Sequence, residues 1–355
     1  MKSIDQIYPE NRNNYTFVDV RSPKEFEKDT IPGAVNIPLL LDDERAIVGT
    51  IYKQESRDKA LQVGMEFISK RLAVMYQEYD ALAKEHKKPI IIFCWRGGMR
   101  SGCMVGLLEA LKLDVHQLEG GYKAYRAFVR EQLKDIETLR NSKGISGVIK
   151  NAPGVLDIPK SVVVYGHTGA GKTGVIVQLK NGLDLEGLAN HRGSILGDIG
   201  LKPYGQKKFE SLLYKRLLEL QNEDFIVIEC ESRKIGKVEI PNAVFKKIKQ
   251  PWKGIFLNKP IDVRAKLSYE IYFKDTTPEQ ILSKLELIKK YLGKKKLETI
   301  KNYLESGQTT EAIKVLLEDY YDLHYLNSFA KEFDYTVETD EEFFEAVKKI
   351  ENKSI

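Results

Sequence analysis

The sequence predicts an α/β protein: two parallel-sheet units followed by a helical C-terminal region. Three observations predict it. Short apolar strands alternate with helical segments through both halves of the chain, the pattern of parallel strands joined by covering helices. Two of those strands, Ile90-Ile91-Ile92-Phe93 and Val162-Val163-Val164-Tyr165, run directly into glycine-rich loops. Beyond Pro278 the pattern turns helical and rich in Lys and Glu, with Leu282, Leu285, Leu287, Ile288, Tyr291 and Leu292 on one face.

In chain order, residues 1–135 read as the first unit. Tyr15–Val20 is a short strand, and Pro23 opens a helical turn behind Ser22 as N-cap. Ile31–Pro38 is a turn leading into a second strand. Residues 56–86 carry helical periodicity in Leu61, Met65, Phe67, Ile68, Leu72, Met75 and Tyr76. Strand 90–93, helix 101–113 and strand 115–118 follow, closed by Gly120-Gly121. Residues 136–158 read as a linker, broken by Gly144, Gly147, Pro153 and Gly154. The second α/β unit covers 159–277, with strands at 161–165, about 193–198, 225–229 and either 254–257 or 268–273. The helical region runs from 278 to 355.

Composition narrows the function classes. The chain has 355 residues, 42% hydrophobic and 30% charged, which fits a folded globular protein. Without an apolar stretch of the roughly 20 residues a membrane helix needs, and with a polar start, a cytoplasmic location and no membrane partner are expected. Three cysteines, at 94, 103 and 230, are too few and too scattered for a disulfide framework or a zinc site. Cys103 and Cys230 are expected to pack in the core. The net charge of +5 permits an anionic partner without requiring one. Oligomeric state is not legible.

The first loop reads Cys94-Trp95-Arg96-Gly97-Gly98-Met99-Arg100-Ser101. A cysteine between a strand and a helix N-terminus meets inward-pointing amides and a favourable dipole, so its thiolate is stabilised. Gly97 and Gly98 let the backbone curl around the sulfur. Arg100 can close the ring and grip an oxyanion, and Arg96, Met99 and Ser101 complete the loop. Cys94 is thus expected as an ionised, reachable nucleophile. These residues resemble the rhodanese family. So do Asp19-Val20-Arg21-Ser22-Pro23-Lys24-Glu25-Phe26, Ile31-Pro32-Gly33-Ala34-Val35-Asn36-Ile37-Pro38 and Gly120-Gly121-Tyr122-Lys123-Ala124-Tyr125. The resemblance implies a rhodanese-like domain with Cys94 as carrier of the transferred atom. The loop is one residue longer than in common sulfurtransferases. It has the Cys-x5-Arg spacing of phosphatases built on the same fold, so phosphatase chemistry stays open.

The second loop, Gly166-His167-Thr168-Gly169-Ala170-Gly171-Lys172-Thr173, is a complete Walker A pattern after a strand. Gly166, Gly169 and Gly171 free backbone amides for phosphates, Lys172 supplies charge, and Thr173 is placed to ligate Mg²⁺. Glu229, at the end of strand 225–229, is placed like a Walker B carboxylate, with Glu231 as the alternative and Asp198 a weaker one. Between the two motifs, residues 184–194 crowd polar side chains together. His191 and Arg192 there, and Arg233 further on, are candidates for phosphate or substrate contact.

A rhodanese-like unit fused to a P-loop NTPase-like unit carries two further motifs here: Asp184-Leu185-Glu186-Gly187-Leu188-Ala189-Asn190-His191-Arg192-Gly193-Ser194, and Glu229-Cys230-Glu231-Ser232-Arg233-Lys234-Ile235-Gly236. Over about residues 10–240 this combination resembles the bacterial tRNA 2-selenouridine synthase family. The resemblance implies a transferase acting on tRNA whose wobble uridine carries a 2-thio group. It implies geranyl diphosphate and selenophosphate as co-substrates, with an S-geranyl intermediate and Cys94 taking selenium as a selenenyl sulfide. A prenyl donor with two phosphates offers the Walker loop a second ligand: ATP and the diphosphate of that donor both stay open for it, which is a reading of the loop and not of the resemblance. Lys246-Lys247-Ile248-Lys249, Lys289-Lys290 and Lys294-Lys295-Lys296, with Phe245, Trp252 and Tyr291 nearby, are candidate tRNA contacts. A sulfurtransferase or phosphatase coupled to an NTPase is the competing enzyme class. A nucleotide-gated docking module is the non-enzyme alternative.

Overall fold

The computed structural model describes residues 1–9, 11–134, 156–323 and 332–353. Of the expected linker, residues 136–155 lie outside the described residues. The chain forms two compact units, one built chiefly on Met1–Leu133 and the other chiefly on Leu156–Phe209 and Arg216–Ile355.

The first unit holds a four-stranded parallel sheet of β1 (Thr16–Asp19), β2 (Val35–Asn36), β3 (Ile90–Phe93) and β4 (Val115–Gln117), in the order β2-β1-β3-β4. Every residue of β3 is buried, as a strand covered on both faces requires. One core cluster joins Val18 and Ile92 to Met75, Tyr79 and Leu82 from the helix Leu72–His86, and to Met104 and Leu108 from the helix Met99–Ala110. The helical stretch expected over 56–86 is two helices, Arg57–Ser69 and Leu72–His86. A further helix, Asp42–Gln54, was not expected. It fully buries none of its residues; its sequence signals are the acidic first turn Asp42-Asp43-Glu44 and the short apolar set Ile47, Val48, Ile51 and Tyr52 at helical spacing.

A buried ion pair ties the signature segments together. Asp19 and Arg21 are 0% and 3% exposed, with Nη2 2.6 Å from Oδ2. Arg21 Nη2 also donates to the Asp29 carbonyl, Thr30 Oγ1 to Asp19 Oδ2, and Asn36 Nδ2 to the carbonyls of Asp19 and Arg21. The guanidinium then lies 4.1 Å from the Tyr122 ring centroid.

The second unit holds β5 (Lys160–Tyr165), β6 (Gly182–Leu183), β7 (Phe225–Glu229), the antiparallel hairpin β8 (Lys234–Ile235) and β9 (Val238–Glu239), β10 (Lys253–Leu257) and β11 (Tyr335–Val337). Its main sheet is parallel in the order β11-β10-β5-β7-β6. Two sequence expectations change here and one open alternative is decided. Residues 193–198 are turns rather than a strand, because Gly193 takes a left-handed φ of +66°; the strand edge is β6 instead. Of the two alternatives, 254–257 is a strand and 268–273 is helical. The C-terminal region is not wholly helical, since β11 pairs with β10 through Ile255 and Tyr335. At three residues with one buried, β11 was too short to signal itself. The helices Pro278–Glu286, Lys294–Glu305 and Thr309–Leu316 do bury Leu285, Ile300 and Leu316 in one cluster, but Leu287 and Tyr291 face solvent.

No helix among the described residues is long and apolar enough to cross a membrane. Removing one partner of the buried pair leaves a charge without compensation. Asp19→Ala is therefore expected to destabilise the first unit by about 3 kcal/mol in urea unfolding, whereas the exposed pair Lys59–Glu55 should contribute under about 1 kcal/mol.

Candidate functional sites

β3 delivers Cys94 to the N-terminus of the helix Met99–Ala110. The loop between them lies backbone to backbone against the start of the helix Gly121–Gln132. Tyr122 N donates to Cys94 O and Lys123 N to Trp95 O, each at 2.9 Å. That approach demands glycine twice. Gly97 and Gly121 have φ of +61° and +57°, and a Cβ on Gly121 would stand 2.3 Å from both Cys94 O and Gly97 N.

Cys94 is 4% exposed, so the expectation of an open sulfur is corrected. Burial pushes its thiol up. The Ser101 hydroxyl, donating at 3.2 Å, the backbone donors of Ser101 and Gly98, and the charge of Arg100 outweigh that and hold the pKa below the ordinary thiol value. Arg100 does not aim its guanidinium at the loop's centre. Its Nη1 donates to Glu25 Oε2 at 2.8 Å, and Arg45 approaches the same carboxylate at 3.7 Å. A half-buried guanidinium satisfies itself on the nearest carboxylate, and Glu25 is held below its usual range despite its burial. Arg96, Gly98 and Met99 are exposed. Cys103 is exposed too, contrary to expectation, because Ser101, Met104, Val105 and Leu108 take the inward face of their helix; Cys230 is half-buried and its thiol is pushed up by burial.

Sequence reasoning missed Gln117. From β4 its Nε2 donates to Ser101 Oγ at 2.9 Å and to the carbonyls of Gly97 and Gly98 at 2.8 and 3.0 Å. Ser101 has one proton and two acceptors at 3.2 Å, Cys94 Sγ and Gly98 O. The two hydrogens of Gln117 Nε2 are shared among these three acceptors, so Gln117 fills a lone pair of the hydroxyl and competes for the Gly98 carbonyl, which favours the hydroxyl proton's pointing to sulfur. No motif marks a lone Gln in a strand.

β5 ends in the second loop. Gly166, Gly169 and Gly171 have φ of +156°, +80° and +81°. A Cβ on Gly169 would lie 2.6 Å from Ser268 Oγ. Arg264, buried and bidentate on Asp322, donates Nε to the Thr168 carbonyl and so clamps the loop from behind; His167 meets the same carboxylate. Lys172 Nζ donates to Gly166 O at 2.9 Å.

Register places Val164 beside Glu229, so Glu229 ends β7 next to the loop. Thr173 Oγ1 lies 3.1 Å from Glu229 Oε2 and 3.0 Å from Glu186 Oε2. Glu229 is fully buried and also accepts from Glu186 N. Burial first, then repulsion from a neighbouring carboxylate (Glu231 on Glu186, Glu186 on Glu229, Glu229 on Glu231), raises all three carboxyls above the usual range. No trio of His, Cys, Asp or Glu among the described residues converges like ligands on one metal. A threonine hydroxyl with one or two carboxylates is nevertheless the hard-oxygen set that Mg²⁺ takes when phosphate and water complete its shell, so these residues fit that ion.

A cavity of about 410 Å³ opens on the loop. Lys172, Thr173, Glu231 and Arg192 line it as expected, joined by Glu186 and Lys259, which were not foreseen. Lys259 Nζ is ion-paired with Asp340 at 2.6 Å. Leu267, Ile271 and Tyr272 form an apolar side. Two candidates fall away. His191 does not line the cavity: its ring is wedged between Gly197 and Gly236, whose added Cβ atoms would come within 2.7 and 2.5 Å, and its Nδ1 accepts from Gly193 N. Arg233 pairs with Glu239 at 2.9 Å and covers Phe245. Of the proposed stacking aromatics, Tyr291 is exposed, Trp252 packs on Phe225 beneath Lys160, and Phe245 is capped by Arg233 and Lys249. Lys289 and Lys296 are paired with Glu286 and Asp319.

The relay from Gln117 yields a direct measurement. Gln117→Leu and Ser101→Ala each remove support for the thiolate. The midpoint of the pH profile for iodoacetamide alkylation of Cys94 is expected to move to higher pH in both, with the plateau rate at high pH retained.

Comparison with known proteins bears on the whole chain. The family model for the tRNA 2-selenouridine synthase AAA domain matches residues 159–353, and that for the rhodanese-like domain matches residues 7–128. A tRNA 2-selenouridine synthase of Nitrosomonas europaea is 33% identical over 268 residues, 74% of this chain and 64% of the relative's length. Among solved structures, the N-terminal domain of a protein described as ATP/GTP binding, from Clostridium difficile 630, is 43% identical with a TM-score of 0.35. It covers 36% of this chain and 98% of its own. A rhodanese-related protein from Thermoplasma volcanium is 23% identical with a TM-score of 0.21, covering 35% and 87%. The AAA-domain model alone spans more than half of the chain, and by that match the chain belongs to the tRNA 2-selenouridine synthase family.

Proposed function

We propose that the chain converts wobble 2-thiouridine of tRNA to 2-selenouridine through an S-geranyl intermediate, with geranyl diphosphate and selenophosphate as co-substrates. One observation carries this reading beyond family membership: a phosphate loop whose cavity has an apolar side occurs in the same chain as a cysteine with a stabilised thiolate. The first suits a diphosphate attached to hydrocarbon, the second a phosphoryl-bearing nucleophile's partner.

In the first step the uridine sulfur attacks C1 of the prenyl chain. The C1–O bond breaks and its electron pair leaves with diphosphate. The loop amides, Lys172, Lys259 and Arg192 bind that developing charge. Thr173 and Glu229 would hold Mg²⁺, which would supply further neutralisation of that charge when bound. In the second step selenium of selenophosphate attacks C2 and geranylthiolate leaves, which gives a C2–Se–P linkage.

Electron balance redirects the role of Cys94. If its thiolate attacked selenium, the Se–P pair would stay on phosphorus and give phosphite, so the expected selenenyl sulfide is replaced. Attack at phosphorus balances instead. The thiolate takes the phosphoryl group, the Se–P pair leaves with the selenouridine, and water then releases phosphate and regenerates the thiolate. The Cys-x5-Arg spacing suits that tetrahedral group, with Arg100 exchanging Glu25 for phosphoryl oxygens. The runs Lys246–Lys249 and Lys294–Lys296 supply a salt-dependent share of tRNA affinity.

The deciding experiment incubates the protein with thiolated tRNA, geranyl diphosphate and selenophosphate and reads the wobble nucleoside by mass. A 2-selenouridine mass is expected; unchanged 2-thiouridine under all conditions overturns the reading. Cys94→Ser should accumulate the wobble nucleoside with the C2–Se–P linkage, a selenouridine still carrying its phosphoryl group, in place of free 2-selenouridine. Lys172→Ala should slow geranyl transfer by on the order of a hundredfold, and an unchanged rate removes the phosphate loop from that step.

A further inference from the structure

We propose that Leu267, Ile271 and Tyr272 form the seat for the hydrocarbon tail of a prenyl diphosphate, and that this seat sets the chain length accepted. The inference rests on the reading that the phosphate loop holds an organic diphosphate.

The junction between headgroup and tail is visible at Gly171. A Cβ there would lie 3.4 Å from Leu267 Cδ1 and 3.5 Å from Lys259 Nζ, so a methyl group and an ammonium both border the point where the loop enters its helix. Lys172, Arg192 and Lys259 bring positive charge to the lining, where Glu186, Glu231 and Asp340 also lie, and Leu267, Ile271 and Tyr272 bring hydrocarbon from one continuous helical stretch. Leu267 belongs to the helix Ile261–Ser268, which passes into a π-helical turn, Tyr269–Phe273. The wider turn changes the helical phase, and residues at i, i+4 and i+5 all line the cavity. Phe273, next in sequence, is buried and anchors the turn in the helical core. Ile271 is 42% exposed, an apolar side chain at a cavity wall.

The same wall is poorly made for a nucleotide base. It presents methyl and methylene groups and a phenol. The Tyr272 hydroxyl is committed to the Arg192 carbonyl at 3.1 Å, and the Arg192 guanidinium lies 5.7 Å from its ring centroid. A base needs donors and acceptors for its polar edge, and burying one without them is costly. An isoprenoid needs only area and shape. The cavity volume falls in the range of sites for small ligands of this size.

The test measures binding of inorganic pyrophosphate, dimethylallyl, geranyl and farnesyl diphosphates and ATP to the full chain by calorimetry, with Mg²⁺. Geranyl diphosphate is expected to bind at least about tenfold more tightly than pyrophosphate, since each buried methylene contributes. Ile271→Asn should close that gap and leave pyrophosphate unchanged. Ile271→Trp should weaken geranyl and farnesyl diphosphates relative to dimethylallyl diphosphate. If pyrophosphate does not bind, or binds equally well to Lys172→Ala, the phosphate-loop reading fails. If pyrophosphate binds through Lys172 but the tail adds no affinity, ATP binds more tightly than geranyl diphosphate, or neither Ile271 variant alters the chain-length order, the tail seat is overturned.

Discussion

A parallel strand that ends at a helix N-terminus leaves several backbone amides without partners at a single point. This chain uses that concentration of donors at two places, after Phe93 and after Tyr165. In both loops glycine is required because backbone must approach backbone: Gly97 against the start of the helix Gly121–Gln132, Gly166 against the Leu257 carbonyl, and Gly169 against the turn of helix at Arg264. The difference lies in what completes each cup. A sulfur fills the first from within, and the second is open to a cavity bordered by cations.

Charge balance shapes the second site. Three glutamates lie around one threonine and one loop lysine, and burial with mutual repulsion keeps their protons on to higher pH than usual. Thr173 has a single proton for two carboxylates, so at least one of those contacts depends on a proton held by a glutamate or on a cation between them. The arrangement is expensive as it stands and becomes favourable when cationic charge enters. Gly193 belongs to the same design, because a Cβ there would lie 2.2 Å from Glu186 Oε1. The turn at Arg192–Ser194 thus packs directly on an acidic side chain while Arg192 reaches the cavity.

The parts legible in the sequence were those with local rules. Apolar runs marked β3, β5 and β7; the Cys94 and Gly166 loops declared themselves by glycine spacing and by the helix that follows. Glu229 was legible because it ends a strand. What stayed hidden depends on contacts distant in sequence. Gln117 acts only because β4 lies beside β3. Glu186 acts because the helix Leu185–Ala189 begins under β7, and Lys259 because β10 ends beside the phosphate loop. His191 misled for the converse reason. A histidine amid polar residues looks chemical, yet its ring here is a spacer between two glycines, with burial holding it neutral and Nδ1 used as an acceptor.

The turn at Tyr269–Phe273 shows why the apolar side of the cavity could not be read in advance. On an ordinary helix Leu267 and Ile271 share a face while Tyr272 drifts away from it. The π-helical widening keeps all three at one wall, and it also lets Tyr272 hold the Arg192 carbonyl. Arg192 also gives Nη1 to the Ile199 carbonyl, and it is the Tyr272 hydroxyl on the Arg192 carbonyl that ties a cation of the cavity lining to its apolar wall. The cationic and apolar borders of the cavity are consequently tied together: displacing the turn would disturb both, whereas trimming Ile271, which makes none of these hydrogen bonds, would alter the apolar border alone.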